Sequence, residues 1–148
     1  MVADDFAGTG STLEKGLRLL SKLIDDLRLP IYKDRRVLCY VQYAFPEAVD
    51  HVRREFPWLE VLAIEVFPEL LRAFDPEAQI FSGDGERLFA RDVLLQIGRE
   101  LYAEAPFGFG DIGGLVAFHN TVPNNTLPVF WSSGTMNDRA WKPLFPRA

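Results

Sequence analysis

The sequence predicts an α/β fold in which a parallel sheet carries helices on both faces. Three observations support this prediction. Short apolar runs alternate along the chain with longer segments whose apolar residues recur every three or four positions, and that order is typical of strands joined by helices. The strand-like runs are apolar without polar alternation, as expected of strands that are covered on both sides. A length of 148 residues is sufficient for one domain with a sizeable core.

The first half of the chain is expected to contain two helices between three strands. The first strand is short, because only three residues precede the first aspartate. The first helix is expected at 12–28, since its apolar residues recur at helical spacing. Those residues are Leu13, Leu17, Leu20, Ile24 and Leu27. A buried strand is expected at 37–43, a second helix at 46–56 with Pro46 in its first turn, and a third strand at 59–66.

The second half is expected to add one long helix and two short strands. A glycine-containing turn with acidic residues after it marks a helix start, and the helix is expected at 86–102. Its inner face consists of Leu94, Ile97 and Leu101. A glycine-rich turn leads into an apolar run at 114–118, which is expected to be a buried strand. Residues 127–131 are expected to form a last strand, and the tail from residue 132 an irregular, packed segment.

Composition argues against several classes of function. A net charge of −5 disfavours a nucleic-acid-binding face, which needs clustered Lys and Arg. The single cysteine, Cys39, excludes an internal disulfide and suits a reducing compartment, and its apolar surroundings favour a buried, inert thiol over a nucleophile. The sequence shows no signal peptide, membrane-spanning run or metal-ligand cluster. We therefore expect a cytoplasmic protein that binds neither nucleic acid nor membrane.

The best chemical signal lies between the first strand and the first helix. Two adjacent carboxylates, Asp4 and Asp5, precede a loop of small residues. That loop consists of Gly8, Thr9, Gly10, Ser11 and Thr12. Glycines allow close approach to a ligand, and the helix start offers unpaired N–H groups and a positive dipole end. The combination predicts a phosphate cradle. The carboxylates would repel a phosphate and suit ribose hydroxyls or a metal ion instead.

The same residues also have a plainer interpretation. Asp, Ser, Thr and Gly before a helix are ordinary capping and turn residues. In that case the aspartates would stabilise the helix end and bind no ligand. The strand–loop–helix context favours phosphate and ribose recognition, and both interpretations stay open at the level of sequence.

Ligands of open parallel sheets bind outside the carboxyl ends of the strands. Loops from both halves of the chain are expected to share that rim. They comprise residues 4–12, 43–45, 65–68 and 118–126. This arrangement would place Phe118 and Asn120 on the same side as the phosphate cradle. The alternative is that residues 123–126 form only a turn, because Asn tolerates left-handed conformations.

At residues 4–12 the chain resembles the phosphoribosyltransferases of the type I fold. Their signature is an apolar strand, two acidic residues and a Thr-Gly-x-Thr-like loop that binds phosphoribosyl pyrophosphate. A closer resemblance is to the phosphoribosyltransferase-like domains of bacterial conflict (anti-phage) systems, which share the Asp-Asp-Phe opening and similar segments near their ends. Those segments are residues 108–113, 121–128 and 144–147. The resemblance spans essentially the whole chain but covers only the second half of such a domain.

The resemblance implies a Rossmann-like fold and a single phosphoribosyltransferase-like domain over residues 1–148 that is incomplete at its N-terminus. It implies that Asp4 and Asp5 are catalytic and contact the ribose hydroxyls, that residues 8–12 hold the 5′-phosphate, and that Mg²⁺ is the cofactor, with no residue assigned to the metal directly. In the family, the loop that follows the last large helix and its next strand helps to hold the base. That role points to Phe118 and Asn120.

Two hypotheses for function follow. The parts that bind pyrophosphate and cover the transition state precede this loop in the family and are not in this chain. The chain is therefore either an enzyme, or part of one, that acts on phosphoribosyl pyrophosphate or a nucleotide at C1′ of the ribose, or a non-catalytic nucleotide-sensing or assembly module. An exposed sheet edge beside Val2 and Ala3 is expected to recruit another chain, so we expect a dimer or a companion subunit.

Overall fold

The computed structural model describes residues 1–28, 37–68, 71–119, 121–136 and 138–146. The chain forms two compact units, Met1–Pro68 and Glu69–Ala148. The assignment of residues 1–148 to a single domain stays a prediction. Among the described residues, no helix is both long and apolar enough to cross a membrane.

Among its described residues, the first unit contains a three-stranded parallel sheet and two helices, which confirms the α/β architecture of this half. The strands lie in the order β1-β2-β3, and both neighbouring pairs are parallel. The elements are β1 (Val2–Ala7), α1 (Ser11–Asp26), β2 (Val37–Ala44), α2 (Pro46–Glu55) and β3 (Leu59–Val66). The helices and the last two strands agree with the predicted bounds to within two residues, because apolar spacing and Pro46 determine them locally.

Strand β1 is longer than the sequence indicated. It continues through Asp4 and Asp5 to Ala7, paired with β2 from Val2 opposite Cys39 to Ala7 opposite Ala44. Among the described strands it pairs with β2 alone, and an edge position tolerates charged side chains. The aspartates are therefore part of the strand and do not belong to the loop after it.

Both helices of the first unit pack on the same face of the sheet. Buried side chains of α1, α2 and alternate positions of β2 and β3 form one core cluster. Its members include Leu13, Leu17, Val49, Val52, Cys39, Val41 and Val61. The strand order explains this arrangement, since successive right-handed crossovers in one direction bring their helices to one face. The prediction of helices on both faces is not confirmed in this unit, and apolar β3 side chains are exposed: Leu62 50%, Ile64 61% and Val66 46%.

The second unit is built around helix α3 (Asp84–Leu101), which confirms the helix predicted at 86–102. Short 3-10 turns lie at Pro76–Ala78, Phe109–Asp111 and Pro128–Phe130. The tail forms an antiparallel hairpin of β4 (Gly134–Met136) and β5 (Arg139–Trp141), where an irregular segment was expected.

The two strands predicted in this half are wrong. Within 114–118 only Gly114 makes β-bridges, and residues 127–131 contain a 3-10 turn that begins at Pro128. Proline has no N–H to donate to a sheet ladder. The hydroxyl of Thr126 donates to the carbonyl of Val116 and so uses an acceptor that a strand partner would need. The side chains of both runs are apolar because they pack in the interior of this unit. That packing does not require the two segments to pair as strands.

Candidate functional site

The junction between β1 and α1 turns sharply at Gly10. Its backbone has φ 80° and ψ −4°, a left-handed conformation that favours glycine. A Cβ added there would lie 3.1 Å from the carbonyl oxygen of Ala48 on α2. The turn therefore requires glycine for two reasons, and it brings the start of α1 directly against α2.

The start of α1 carries hydroxyl groups and backbone donors. No side chain of the described residues caps this helix end. The hydroxyl of Thr9 donates to Ser11 Oγ at 3.0 Å and accepts a long hydrogen bond of 3.4 Å from the Ser11 N–H. Thr9 and Ser11 are half-buried, and Thr12 is exposed. Apart from the N–H of Ser11, first-turn N–H groups that have no intrahelical partner are therefore available to an acceptor from outside the helix.

The two aspartates do not cap α1. Asp4 Oδ1 accepts the N–H of Asp5 at 3.0 Å, within the strand. Two rises of about 3.3 Å separate Asp5 from the last strand residue, Ala7, so the pair lies on β1, ahead of the loop. The capping interpretation is thus not supported for these two residues. The structure does bring the predicted loop residues together, from Gly8 to Thr12.

Asp4 and Asp5 occupy different environments. Adjacent residues of a strand project to opposite faces of the sheet. Asp4 is paired with buried Val41, on the face that the helices cover, and is half-buried, whereas Asp5 is exposed. Burial raises the pKa of Asp4 above its ordinary value, and the charge of Asp5 adds to this against the lowering effect of the Asp5 N–H. The acidic pair therefore consists of one partly desolvated and one solvated carboxylate.

An ion-pair network joins α1 to α2 beside the loop. Glu14, in the first turn of α1, lies 2.7 Å from His51 Nε2 and 2.7 Å from Arg18 Nε. Arg18 in turn lies 2.8 Å from Glu55 on α2. Hydrogen bonds from His51 and then from Arg18 lower the pKa of Glu14 below its ordinary value. This network was not predicted from the sequence. The spacing of Glu14 and Arg18 was a readable signal, but the link to His51 was not.

The second ring nitrogen of His51 indicates its tautomer. Arg54 Nη2 lies 3.4 Å from His51 Nδ1, and a guanidinium can only donate. Nδ1 is then the acceptor, and Nε2 carries the hydrogen that Glu14 receives. Both contacts of His51, next to the glycine turn, are therefore satisfied when Nε2 donates to Glu14 and Nδ1 accepts from Arg54.

The other two rim loops of this unit are filled by aromatic side chains. Phe45 follows β2 and Phe67 follows β3, and both are buried. Ring centroids are 6.0 Å apart for Phe6 and Phe45, 5.8 Å for Phe45 and Phe67, and 5.4 Å for Tyr43 and Phe67. Phe45 and Phe67 at the carboxyl ends of β2 and β3 are thus packed, and the β1–α1 junction is a polar part of the rim.

The predicted base-binding residues belong to the second unit. Phe118 is half-buried, and its N–H donates to the carbonyl of Thr121 at 2.8 Å. Asn120 lies outside the described residues. That this loop shares a rim with residues 4–12 stays a prediction.

Residues 123–126 form a turn, which was the alternative interpretation of this segment. The Thr126 N–H donates to the Pro123 carbonyl at 3.1 Å. The side chain of Asn125 is buried and donates to the Phe109 carbonyl at 2.8 Å. Asn125 therefore serves the packing of this unit.

A metal site made of protein side chains alone is not present in the described part of the chain, where no group of three or more His, Cys, Asp or Glu residues is placed to hold an ion.

Comparison with known proteins gives one positive result. A family model described as PRTase-CE, in which PRTase stands for phosphoribosyltransferase, matches residues 1–147. No curated protein and no solved structure matches the chain.

Proposed function

Because the chain belongs to the PRTase-CE family and is therefore a phosphoribosyltransferase-like domain, we propose that it binds phosphoribosyl pyrophosphate or a nucleotide through the 5′-phosphate. The observation that carries this proposal is the start of α1, which no described side chain caps and which directly follows the edge strand β1. The hydroxyls of Thr9, Ser11 and Thr12 lie at the same place. Together they form the kind of helix N-terminus that receives phosphate in open α/β sheets.

Local electrostatics are compatible with an anion at this loop. Glu14 is the acidic residue of the first turn, where it would oppose a phosphate. Its carboxylate instead receives hydrogen bonds from His51 and Arg18, which disperse its charge toward α2. These contacts offset part of the repulsion between Glu14 and a phosphate, which the helix dipole and the N–H groups attract.

The aspartates are proposed to contact the rest of the ligand in unequal roles. Each face of β1 offers one carboxylate, so a single ribose does not meet two equivalent groups. The half-buried Asp4 suits a ribose hydroxyl, because a hydroxyl donates to a carboxylate without bringing charge. The exposed Asp5 suits a hydrated cation. Phe118 and Asn120 remain the proposed contacts for the base.

Mg²⁺ fits this site as an ion that arrives with the ligand. Mg²⁺ keeps several waters and binds through one or two carboxylates plus substrate phosphates, and one exposed carboxylate on β1 meets that requirement. When bound, it would supply positive charge to a pyrophosphate leaving group.

The proposed activity is ribosyl transfer or cleavage at C1′, in a cytoplasmic protein of a bacterial defence system. The reduced, buried thiol of Cys39 suits that compartment. The second candidate is a non-catalytic nucleotide sensor or assembly module. The aromatic packing at the ends of β2 and β3 favours this second candidate. Because packed rings occupy these two rim loops, the β1–α1 junction is a polar contact that the first unit offers a ligand, which is sufficient for binding.

Calorimetric titration of the chain with phosphoribosyl pyrophosphate and Mg²⁺ tests the binding proposal. The variant Ser11→Ala with Thr12→Val removes two hydroxyls of the loop. At about 1 kcal/mol for each lost hydrogen bond, affinity should fall roughly thirtyfold. Ser133→Ala with Thr135→Val is the matched control, since both residues are exposed on the tail. Equal affinities in the two variants, or no binding to the wild type, would refute the proposed site.

Release of pyrophosphate separates the two candidate functions. An enzyme releases it in the presence of an acceptor base or water, whereas a sensor binds the ligand and leaves it intact. A bound but intact ligand across a panel of bases would exclude the enzyme hypothesis for this chain.

A further inference from the structure

The second unit contains a cavity that the proposed function does not use. Its volume is about 530 Å³, within the range of small-molecule sites and too small for a folded partner. One stripe of α3 forms one wall, and residues 72–76 and 106–112 form the rest. Every lining residue belongs to the second unit, and none is part of the β1–α1 loop.

Arginines dominate the polar lining. Arg91, Leu95 and Arg99 recur every four residues on α3 and all line the cavity, as does Arg72 from the opposite segment. At about 1.5 Å per residue, Arg91 and Arg99 stand roughly 12 Å apart along the helix. Neither forms an ion pair with any residue of the described ranges. Their guanidinium groups therefore keep their capacity for an external anion.

The aromatic residues of the cavity hold one of these arginines in place. The guanidinium carbon of Arg91 lies 5.2 Å from the ring centroid of Phe107, within the range of a cation–π contact. Phe107 in turn packs edge-on against Phe74, at 5.0 Å between centroids. Arg91 is thus oriented by packing even though its side chain reaches solvent.

The loop wall is held close to α3 by a glycine. A Cβ added at Gly98 would overlap the carbonyl of Pro106, so this approach requires glycine directly before Arg99. The N–H of Gly113 donates to the Phe107 carbonyl at 2.9 Å, and the N–H of Ala73 donates to the Gly113 carbonyl at 2.8 Å. These contacts join both loop segments, which indicates a cavity that exists before a ligand arrives.

Two carboxylates narrow the class of ligand. Asp75 and Asp111 also line the cavity, and Asp75 Oδ1 accepts the N–H of Glu77 at 2.8 Å. Arginine forks match phosphate oxygens, while carboxylates accept from hydroxyl groups. We propose that this cavity binds a small phosphate ester that carries hydroxyl groups, such as a sugar phosphate.

The test is an NMR titration of the full chain with ribose 5-phosphate, which follows the backbone amides of residues 91–99 and 107–112. We expect saturable shifts at these amides. Arg91→Gln with Arg99→Gln should weaken that binding at least tenfold. Arg139→Gln with Lys142→Gln is the matched control, because it removes two exposed positive charges of the same unit that do not line the cavity, and its affinity should equal that of the wild type.

Further variants separate this site from the β1–α1 loop. Ser11→Ala with Thr12→Val should leave the shifts at residues 91–99 unchanged, whatever it does to binding at the loop. Arg91→Lys with Arg99→Lys keeps the charge but loses the forked geometry, and it should bind with intermediate affinity. The proposal is overturned by an absence of saturable shifts in the wild type, or by equal loss in the cavity and control variants. Inorganic phosphate that binds as tightly as ribose 5-phosphate would overturn the assigned ligand class.

Discussion

Gly10→Ala is a direct test of the geometry at the β1–α1 junction. A left-handed backbone costs a residue with a Cβ about 1–2 kcal/mol. The added Cβ would also lie 3.1 Å from the Ala48 carbonyl oxygen, which adds about 1 kcal/mol of overpacking. The reduced freedom of the unfolded chain returns about 0.4–1 kcal/mol. We therefore expect a net loss of about 1–2.5 kcal/mol in the free energy of unfolding.

Gly16→Ala is the matched control within the same helix. Gly16 is exposed in α1, and a Cβ added there would meet nothing within 4 Å. The substitution should therefore stabilise the protein by about 0.5–1 kcal/mol, as expected for Gly to Ala in a helix interior. The two substitutions are chemically identical and have opposite predicted signs.

Urea denaturation, followed by far-UV circular dichroism, measures both variants. At about 2–4 °C per kcal/mol for a chain of this size, a thermal scan should show the melting temperature of Gly10→Ala lowered by roughly 2–10 °C. Ligand affinity should fall as well, because the α1 N–H groups move. A Gly10→Ala protein as stable as the wild type would refute the described turn.

Three further predictions follow from the first unit. Asp4 has a raised pKa in the folded state, so stability is lost as pH rises from its ordinary value of 3.8 through the raised value. Asp4→Asn should therefore be more stable than the wild type at neutral pH and equally stable well below pH 3.8. Urea midpoints measured across pH test this, and a difference that does not vanish at low pH would show that burial is not the cause. Glu14 has a lowered pKa, so its stabilising effect is present above pH 4.5 and is lost as pH falls through the lowered value. Glu14→Gln should therefore be less stable than the wild type at neutral pH but not at low pH. A difference in stability that is the same at all pH values would contradict this prediction. Ala3→Lys places a charge on the edge strand β1 and should shift a dimer toward monomer in sedimentation experiments, whereas an unaltered dimer would show that another surface pairs the chains.

Local patterns were sufficient for most of the first unit. Leucines at helical spacing identified α1, and Pro46 identified the start of α2, because both signals act within a few residues. The glycines and hydroxyls of the loop were also readable, since a tight turn before a helix has its own composition. The length of β1 was not, because its partner β2 determines how far a polar edge strand continues.

Apolar runs gave misleading predictions in the second unit. The runs at 114–118 and 127–131 are packed side chains without strand pairing. Periodicity does not distinguish a buried strand from another buried segment of the same length. The same ambiguity affected the first unit, where apolar residues of β3 predicted helices on both faces of the sheet. Ile64 on β3 is apolar and yet 61% exposed, on the face that the two helices do not cover.

The sequence by itself determined the helices, the positions of strands β2 and β3 and the phosphate-cradle composition of residues 8–12. Each of these depends on neighbours within about one helical turn. Tertiary structure alone decided that Asp4 is half-buried while Asp5 is exposed, that Glu14 meets His51 across 37 positions, and that Arg91 and Arg99 line a cavity with Arg72. These features depend on which distant segments pack together. Burial and hydrogen bonding across the whole unit determine that packing, and the spacing of residues within one segment does not specify it.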